Sequence, residues 1–351
     1  MPDCPTTPLI TALQRGAKAG EPAVNRFGRL LARRWPRPAA HLARGFLLLA
    51  FGLCLASDAR AGRRPTLESL QAAAQRGDAR ASYELAKRYS TGDGVPQDDA
   101  KVVEYLRQAA AKGQHEAQND LGSFYARGRG VKPDLAEALK WYRRSAEGGE
   151  PLGEYNLGHC CELGRGLGTN LGQAVLWYKR AARHSQIDAL LCLGDIYLKG
   201  RPGIPPDARL ARKWLDRAGA QGNGYACNCL GDLYEQGRLM PRDFKRAARY
   251  YRLAAEKGYG EGQFNFARML ISGTGTKKDV VESCKWLSLA GRNGQGSANL
   301  ALNDAIQSGL ITPDQADEGV RRADEYRKRL KGGKPLSIQT GKANASSAPG
   351  R

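Results

Sequence analysis

The residues of this 351-residue chain best able to do covalent or metal chemistry are four histidines and eight cysteines, and their spacing suits neither task. His41, His115, His159 and His184 stand far apart, with no i, i+4 pair that would set two imidazoles on one helix face. None has a cysteine partner at metal-ligand spacing, and no serine elbow, phosphate loop or zinc signature occurs. Acidic pairs are present, but a carboxylate on a solvated helix face is their simpler reading. The expectation is a non-enzymatic protein with no cofactor and no metal. Binding is the chemistry left. Asn119, Asn156, Asn228 and Asn265 carry side chains that both donate and accept hydrogen bonds, and Tyr83 and Tyr155 offer aromatic contact area.

What positions these residues is an internal repeat. Leu-Gly or Leu-Ala pairs begin at Leu85, Leu121, Leu157, Leu193 and Leu230, and Phe266-Ala267 takes the sixth place, at intervals of 36, 36, 36, 37 and 36. Tyr105, Trp141, Trp177, Trp214, Tyr250 and Trp286 keep the same spacing, as do Asp98, Asp134, Asn170, Asp207, Asp243 and Asp279. Each unit reads as two helices. Helix A carries a small residue four before the Leu and, in most units, a Tyr four after it, which places them on one face. The Gly that follows the Leu lies inside the helix, where it costs about 1 kcal/mol relative to Ala. Its recurrence implies close approach of a neighbouring backbone. Glycines such as Gly128 and Gly130 close helix A, the Asp or Asn caps helix B, and Gly113, Gly149, Gly222, Gly258 and Gly294 close the unit. Ser185 stands where the third unit should have that glycine, and the fourth unit has a longer turn, Gly200-Arg201-Pro202-Gly203.

Leu-Gly-x-x-Tyr, Gly-x-Gly, Asp and Trp-Tyr at this period resemble Sel1-like repeats, relatives of the tetratricopeptide repeat. The resemblance covers residues 79–295 in six units and implies an all-α, α/α solenoid. Around it, residues 1–61 read as a leader, 62–78 as an N-terminal capping helix (Thr66 to Arg76), 296–331 as a half-repeat plus a charged capping helix, and 332–351 as a disordered basic tail. The family also implies that the A helices line a concave, partner-binding wall. The side chains expected there are Tyr83, Asn119, Tyr155 and Asn228 two before the Leu. Asp120, Asn156 and Asn265 lie one before it, and Lys87, His159, Asp232 and Arg268 two after. Ordinary polar surface, or engagement within the helix pairs, is the competing reading of each.

Some members of the family are cysteine-rich secreted proteins with one disulfide per repeat, associated with β-lactam binding or hydrolysis. Here the cysteines do not recur once per unit. Cys160, Cys161 (in the place of the repeat's Tyr) and Cys284 read as small apolar side chains. Cys192 and Cys229 hold one slot in successive units, too far apart for a bridge. A cross-unit Cys160–Cys192 bridge stays open in an oxidising compartment.

The formal charge is +20, with nine Arg or Lys against three Asp or Glu in residues 1–61. Such a balance suits acidic partners: proteins, cell-wall polymers or lipid headgroups. A solvated basic surface is the alternative. Residues 46–56, FLLLAFGLCLA, follow a basic stretch and precede Ala59-Arg60-Ala61, the pattern of an export signal cleaved after Ala61, with an upstream extension from a misplaced start. Eleven apolar residues are too few to span a bilayer, which needs about 20, so the mature chain is expected to have no membrane span. An uncleaved inner-membrane anchor is the rival reading; a twin-arginine or lipoprotein signal fits less well. Export disfavours nucleic acid as a partner. The expectation is a periplasmic or secreted scaffold that binds a protein or peptide in envelope assembly or signalling. The alternatives are a binder of cell-wall or other anionic polymer and, less favoured, a β-lactamase-like cell-wall hydrolase.

Overall fold

The computed structural model describes residues 64–332 apart from residue 167. The leader, its apolar run at 46–56 and the tail beyond residue 332 therefore lie outside the described residues. Fifteen α-helices occur among the described residues: α1 (Leu67–Gln75), α2 (Ala79–Thr91), α3 (Asp99–Ala111), α4 (His115–Arg127), α5 (Leu135–Glu147), α6 (Pro151–Leu163), α7 (Leu171–Arg183), α8 (Ile187–Lys199), α9 (Ala208–Ala220), α10 (Gly224–Gln236), α11 (Phe244–Glu256), α12 (Gly260–Ser272), α13 (Val280–Arg292), α14 (Gly296–Gln307) and α15 (Pro313–Lys331). Even-numbered helices from α2 to α12 are the A helices and odd-numbered ones from α3 to α13 the B helices. The α/α solenoid expected from the period is what the chain forms.

The recurring Asp or Asn clasps the two helices of a unit together. Its backbone N–H returns to the end of helix A, as when Asp134 donates to the Tyr125 carbonyl at 3.0 Å. Its side chain accepts from the first turn of helix B, Asp134 Oδ1 from the Glu137 N–H at 2.9 Å. The same double role falls to Asp98, Asn170, Asp207, Asp243 and Asp279. One side chain thus satisfies a donor that the helix itself leaves unpaired. The longer fourth-unit turn closes on itself: Arg201 and Ile204 exchange two backbone hydrogen bonds of 2.8 Å across Pro202 and Gly203. Pro at the second position and a positive φ at the third (Gly203, +80°) are what a type II turn requires.

The in-helix glycine makes room first for a side chain and second for the neighbouring backbone that its recurrence suggests. A Cβ on Gly122 would lie 2.8 Å from the Tyr142 ring, on Gly158 2.9 Å from the Tyr178 ring, and on Gly231 2.5 Å from the Tyr251 ring. The nearest neighbour is a side-chain ring of the same unit's helix B; a backbone carbonyl comes second at Gly122 (Ala138, 3.1 Å). Where helix B carries Leu106 or Leu287 in place of that Tyr, helix A carries Ala86 or Ala267 in place of Gly. Gly194 faces Leu215 and is the one mixed pair. The rings and alanines that meet here, among them Tyr178 and Ala174 in one core cluster and Tyr251 and Ala247 in the next, are fully buried.

At the C-terminal end, α15 starts with a capping box between Thr312 and Gln315. It packs Tyr326 edge-on against Trp286 at 5.4 Å between ring centres and buries Ala323. A Cβ on Gly319 would meet Cys284 Cβ at 2.3 Å, so the last helix lies directly on α13.

Candidate functional site

Consecutive A helices approach one another directly, α4 with α6 and α10 with α12, and so form the tighter, inner wall of the solenoid. Hydrogen bonds link them in a register set by the repeat. Each joins the residue two before the Leu in one unit to the residue one before it in the next. Tyr83 Oη donates to Asp120 Oδ2 (2.9 Å), Asn156 Nδ2 to Asn119 Oδ1 (2.7 Å), and Asn265 Nδ2 to Asn228 Oδ1 (3.0 Å). Asn119 and Asn228 are buried, and each spends its own amide donor on a carboxylate, Asp120 at 3.2 Å and Asp232 at 3.3 Å. These amides therefore knit the wall together, and Asn156 and Asn265 stand half-buried beside them.

The other expected residues are spread along the wall. Lys87 is exposed, paired with Glu84 at 2.8 Å and lying over the Tyr83 ring at 5.1 Å. Tyr155 stacks on His159, with ring centres 6.0 Å apart. Burial pushes the Tyr155 hydroxyl up to about 12 and, together with the Arg165 charge, holds the His159 imidazole below its ordinary value. Arg268 Nη2 donates to Glu235 Oε2 at 2.6 Å.

Residues the sequence did not single out complete the wall. The second aromatic of helix B passes under the in-helix glycine and delivers its hydroxyl to the A side. Tyr178 Oη donates to Glu162 Oε2 at 2.7 Å, and the Tyr251 hydroxyl sits between Asp232 Oδ1 (2.7 Å) and Glu235 Oε2 (2.6 Å). Glu162 and Glu235 both lie five residues after the Leu, a position that is acidic in these two units alone and so gave little signal in the sequence. Burial raises the carboxyls of Asp120 and Asp232 despite the hydrogen bonds from Tyr83 and Tyr251. Burial opposes ionisation of Glu235 too, but Arg268 and Tyr251 outweigh it and hold that carboxyl low.

Charge is sorted between the two walls. The six A helices carry ten Asp or Glu and six Arg or Lys; the six B helices carry seven and eighteen. From α6 to α10 the A helices hold six acids and one base, Lys199; three of the acids pair with arginines beyond these helices, Glu154 with Arg180, Asp195 with Arg201 and Glu235 with Arg268. The B helices thus supply the net positive charge of the paired helices, and the A helices carry a small excess of acids. The six described cysteines are free thiols, with Cys160, Cys192, Cys229 and Cys284 each pushed up to about 11, chiefly by burial. Among the described residues no group of three His, Cys, Asp or Glu could hold a metal ion, and no helix is long and apolar enough to cross a membrane.

Two-helix units stacked in one register, each clasped by a capping Asp or Asn, define a helical-repeat solenoid. The family model described as Sel1 repeat matches residues 79–114, 115–150, 151–185, 187–223, 224–259 and 260–295, and the chain belongs to that family. Among solved structures it is similar to a protective antigen of uropathogenic Escherichia coli strains displaying an SLR fold (32% identity, TM-score 0.68, covering 75% of this chain and 57% of that one). It is also similar to a Sel1 repeat protein from Oxalobacter formigenes (28% identity, TM-score 0.57, covering 74% and 98%). Among curated proteins, an exopolysaccharide production negative regulator of Rhizobium meliloti is 39% identical over 57 residues, 16% of this chain and 21% of the regulator. The chain thus matches about a fifth of that relative's length.

Proposed function

We propose that the protein is a binding scaffold whose inner wall of A helices receives an extended segment of a protein partner, and that the segment is basic. The observation carrying this reading is the sorting of charge. A partner selected by net charge alone would be acidic; one lying on the A wall meets Glu162, Asp188 and Glu261, beside Asp195, which already pairs with Lys199 and Arg201, and Asp232, which accepts from Tyr251. Tyr83, Tyr155 and Phe264, each half-buried, supply contact area between the carboxylates. Scaffolding in place of catalysis accords with membership of a repeat family that works by association. Export to the periplasm, with a role in envelope assembly or signalling, is the setting we favour. It rests on the leader pattern and on the short stretch shared with the exopolysaccharide regulator. An alkaline phosphatase fusion after Ala61 checks export, and an inactive fusion overturns it.

The groove is tested by fluorescence anisotropy with labelled Lys/Arg-rich and Asp/Glu-rich peptides of equal length. Basic peptides should bind, and the combined change Asp188→Asn, Asp195→Asn, Glu261→Gln should weaken them at least about tenfold, the loss of 1.4 kcal/mol. Preference for acidic peptides, or a triple variant that binds like the parent, would overturn the reading.

A further inference from the structure

The third unit departs from the repeat at one position that alters its surface. In the first and fifth units the Tyr four after the Leu stacks on the first aromatic of helix B. Tyr89 lies on Tyr105 with centres 5.7 Å apart and planes 13° apart, and Tyr234 on Tyr250 at 5.6 Å and 8°. The third unit has Cys161 in that slot, facing Trp177. A thiol is far smaller than a phenol, and a cleft of about 400 Å³ opens there, on the cationic B side. It is lined by Arg143 and Glu147 of α5, Cys161 of α6, and Asn170, Gln173 and Trp177 at the start of α7. That volume falls at the small-ligand end of the range for binding sites.

The lining is unlike that of a leftover packing defect. Trp177 is half-buried, its ring held in place by Arg180, which lies over it at 4.6 Å and is itself fixed by Glu154 at 3.0 Å. Arg143 is exposed and makes no ion pair among the described residues, although Glu147 is one turn away. Gln173 is exposed, and its amide can both donate and accept. An indole, a guanidinium that can grip a carboxylate with two parallel hydrogen bonds, and planar amide and carboxylate groups suit a ring bearing hydroxyls and one carboxylate. The cations continue outward from the cleft. Arg107, Arg143 and Lys179 hold equivalent positions on α3, α5 and α7, and Arg183, Arg209, Lys213, Lys245 and Arg249 carry no ion pair among the described residues.

We propose that this cleft is a subsite for one ring of a linear acidic polysaccharide, a chain of uronic acid units, whose neighbouring units run over the B-side cations. A bilayer is a poorer occupant. The B helices lie on the outer wall of the solenoid, which a flat surface touches along only a narrow strip. The site is separate from the inner wall and stands or falls independently of the partner proposed there.

The test is isothermal titration of the full-length protein with polygalacturonate at low salt, with dextran, duplex DNA and phosphatidylglycerol vesicles in parallel. Polygalacturonate should bind and dextran should not. Cys161→Tyr, which restores the residue found in this slot in four other units, should weaken polygalacturonate at least tenfold. Its helicity and melting temperature should be no lower than the parent's. Arg143→Gln, on an exposed face, should give a comparable loss. Absence of polygalacturonate binding, unchanged binding by Cys161→Tyr and Arg143→Gln, or equal losses for DNA or vesicles would each overturn the proposal.

Discussion

At the residue scale the informative pair is Gly231 with the Tyr251 ring. Intrinsic propensity predicts that Ala at Gly231 would favour the helix by about 1 kcal/mol. A Cβ there would stand 2.5 Å from two ring atoms of a fully buried tyrosine whose hydroxyl is pinned between Asp232 and Glu235. The ring cannot withdraw without breaking those hydrogen bonds, so overpacking wins. Gly231→Ala should destabilise the fold by roughly 1–3 kcal/mol in urea titrations. The double variant Gly231→Ala with Tyr251→Leu should recover part of that loss, because Ala opposite Leu is the combination the first and sixth units already use. Recovery absent from the double variant would mean that the steric account of the pairing is wrong. The glycine's position was legible in the sequence, since a residue unfavourable in helices recurred inside one. Its partner was not, because the Gly–Tyr and Ala–Leu correlation becomes visible only once the two helices are known to cross there.

Among the elements, the loop that joins each B helix to the next A helix shows how closely geometry follows composition. Gly113, Gly149, Gly222, Gly258 and Gly294 all turn with φ between 79° and 89°; in the third unit Ser185 makes the turn at φ 63°. A side chain in that region costs about 1–2 kcal/mol, while a glycine loses more entropy on folding, roughly 0.5–1 kcal/mol. Ser185→Gly should therefore stabilise the protein slightly, by up to about 1 kcal/mol, read as a rise in thermal midpoint. A fall would show that the Ser185 side chain contributes more than the strain removes. The wall of A helices was only partly legible at this scale. The period located every A-helix residue, and the structure places Tyr83, Asp120, Tyr155, His159, Asp232 and Arg268 along one wall. The bonds from Asn156 to Asn119 and from Asn265 to Asn228 depend on how far one helix is displaced along the next, which spacing within a single chain does not state.

For the whole molecule, the fold was legible because three residue series shared one period, and a solenoid has little freedom once its unit is known. The distribution of charge was not, since net charge averages over two walls that differ in sign. The end of the stack makes its own demand. α15 covers Trp286 with Tyr326, buries its own Ala316 together with Ile311 in the segment leading into it, and pairs Asp324 with Arg292. A chain ending after Ser308 should expose that apolar end. Concentration-dependent association in sedimentation velocity, with a lower thermal midpoint, is the expected result; a monodisperse, equally stable truncation would show that α15 is dispensable as a cover.

The Gly–Tyr and Ala–Leu pairs have a bearing on how such an array can grow or be recombined. Both members of each pair belong to one unit, so a crossover in the loop after helix B moves a matched set intact and asks only the amide links between A helices to re-form. A crossover between helix A and helix B can instead put Ala86 against a tyrosine, a clash, or Gly122 against Leu106, a pairing that packs only where the leucine moves in as Leu215 does on Gly194. The permissible joints for copying, deleting or grafting repeats in this protein are therefore already marked, and they fall at the glycines that close each unit and at Ser185.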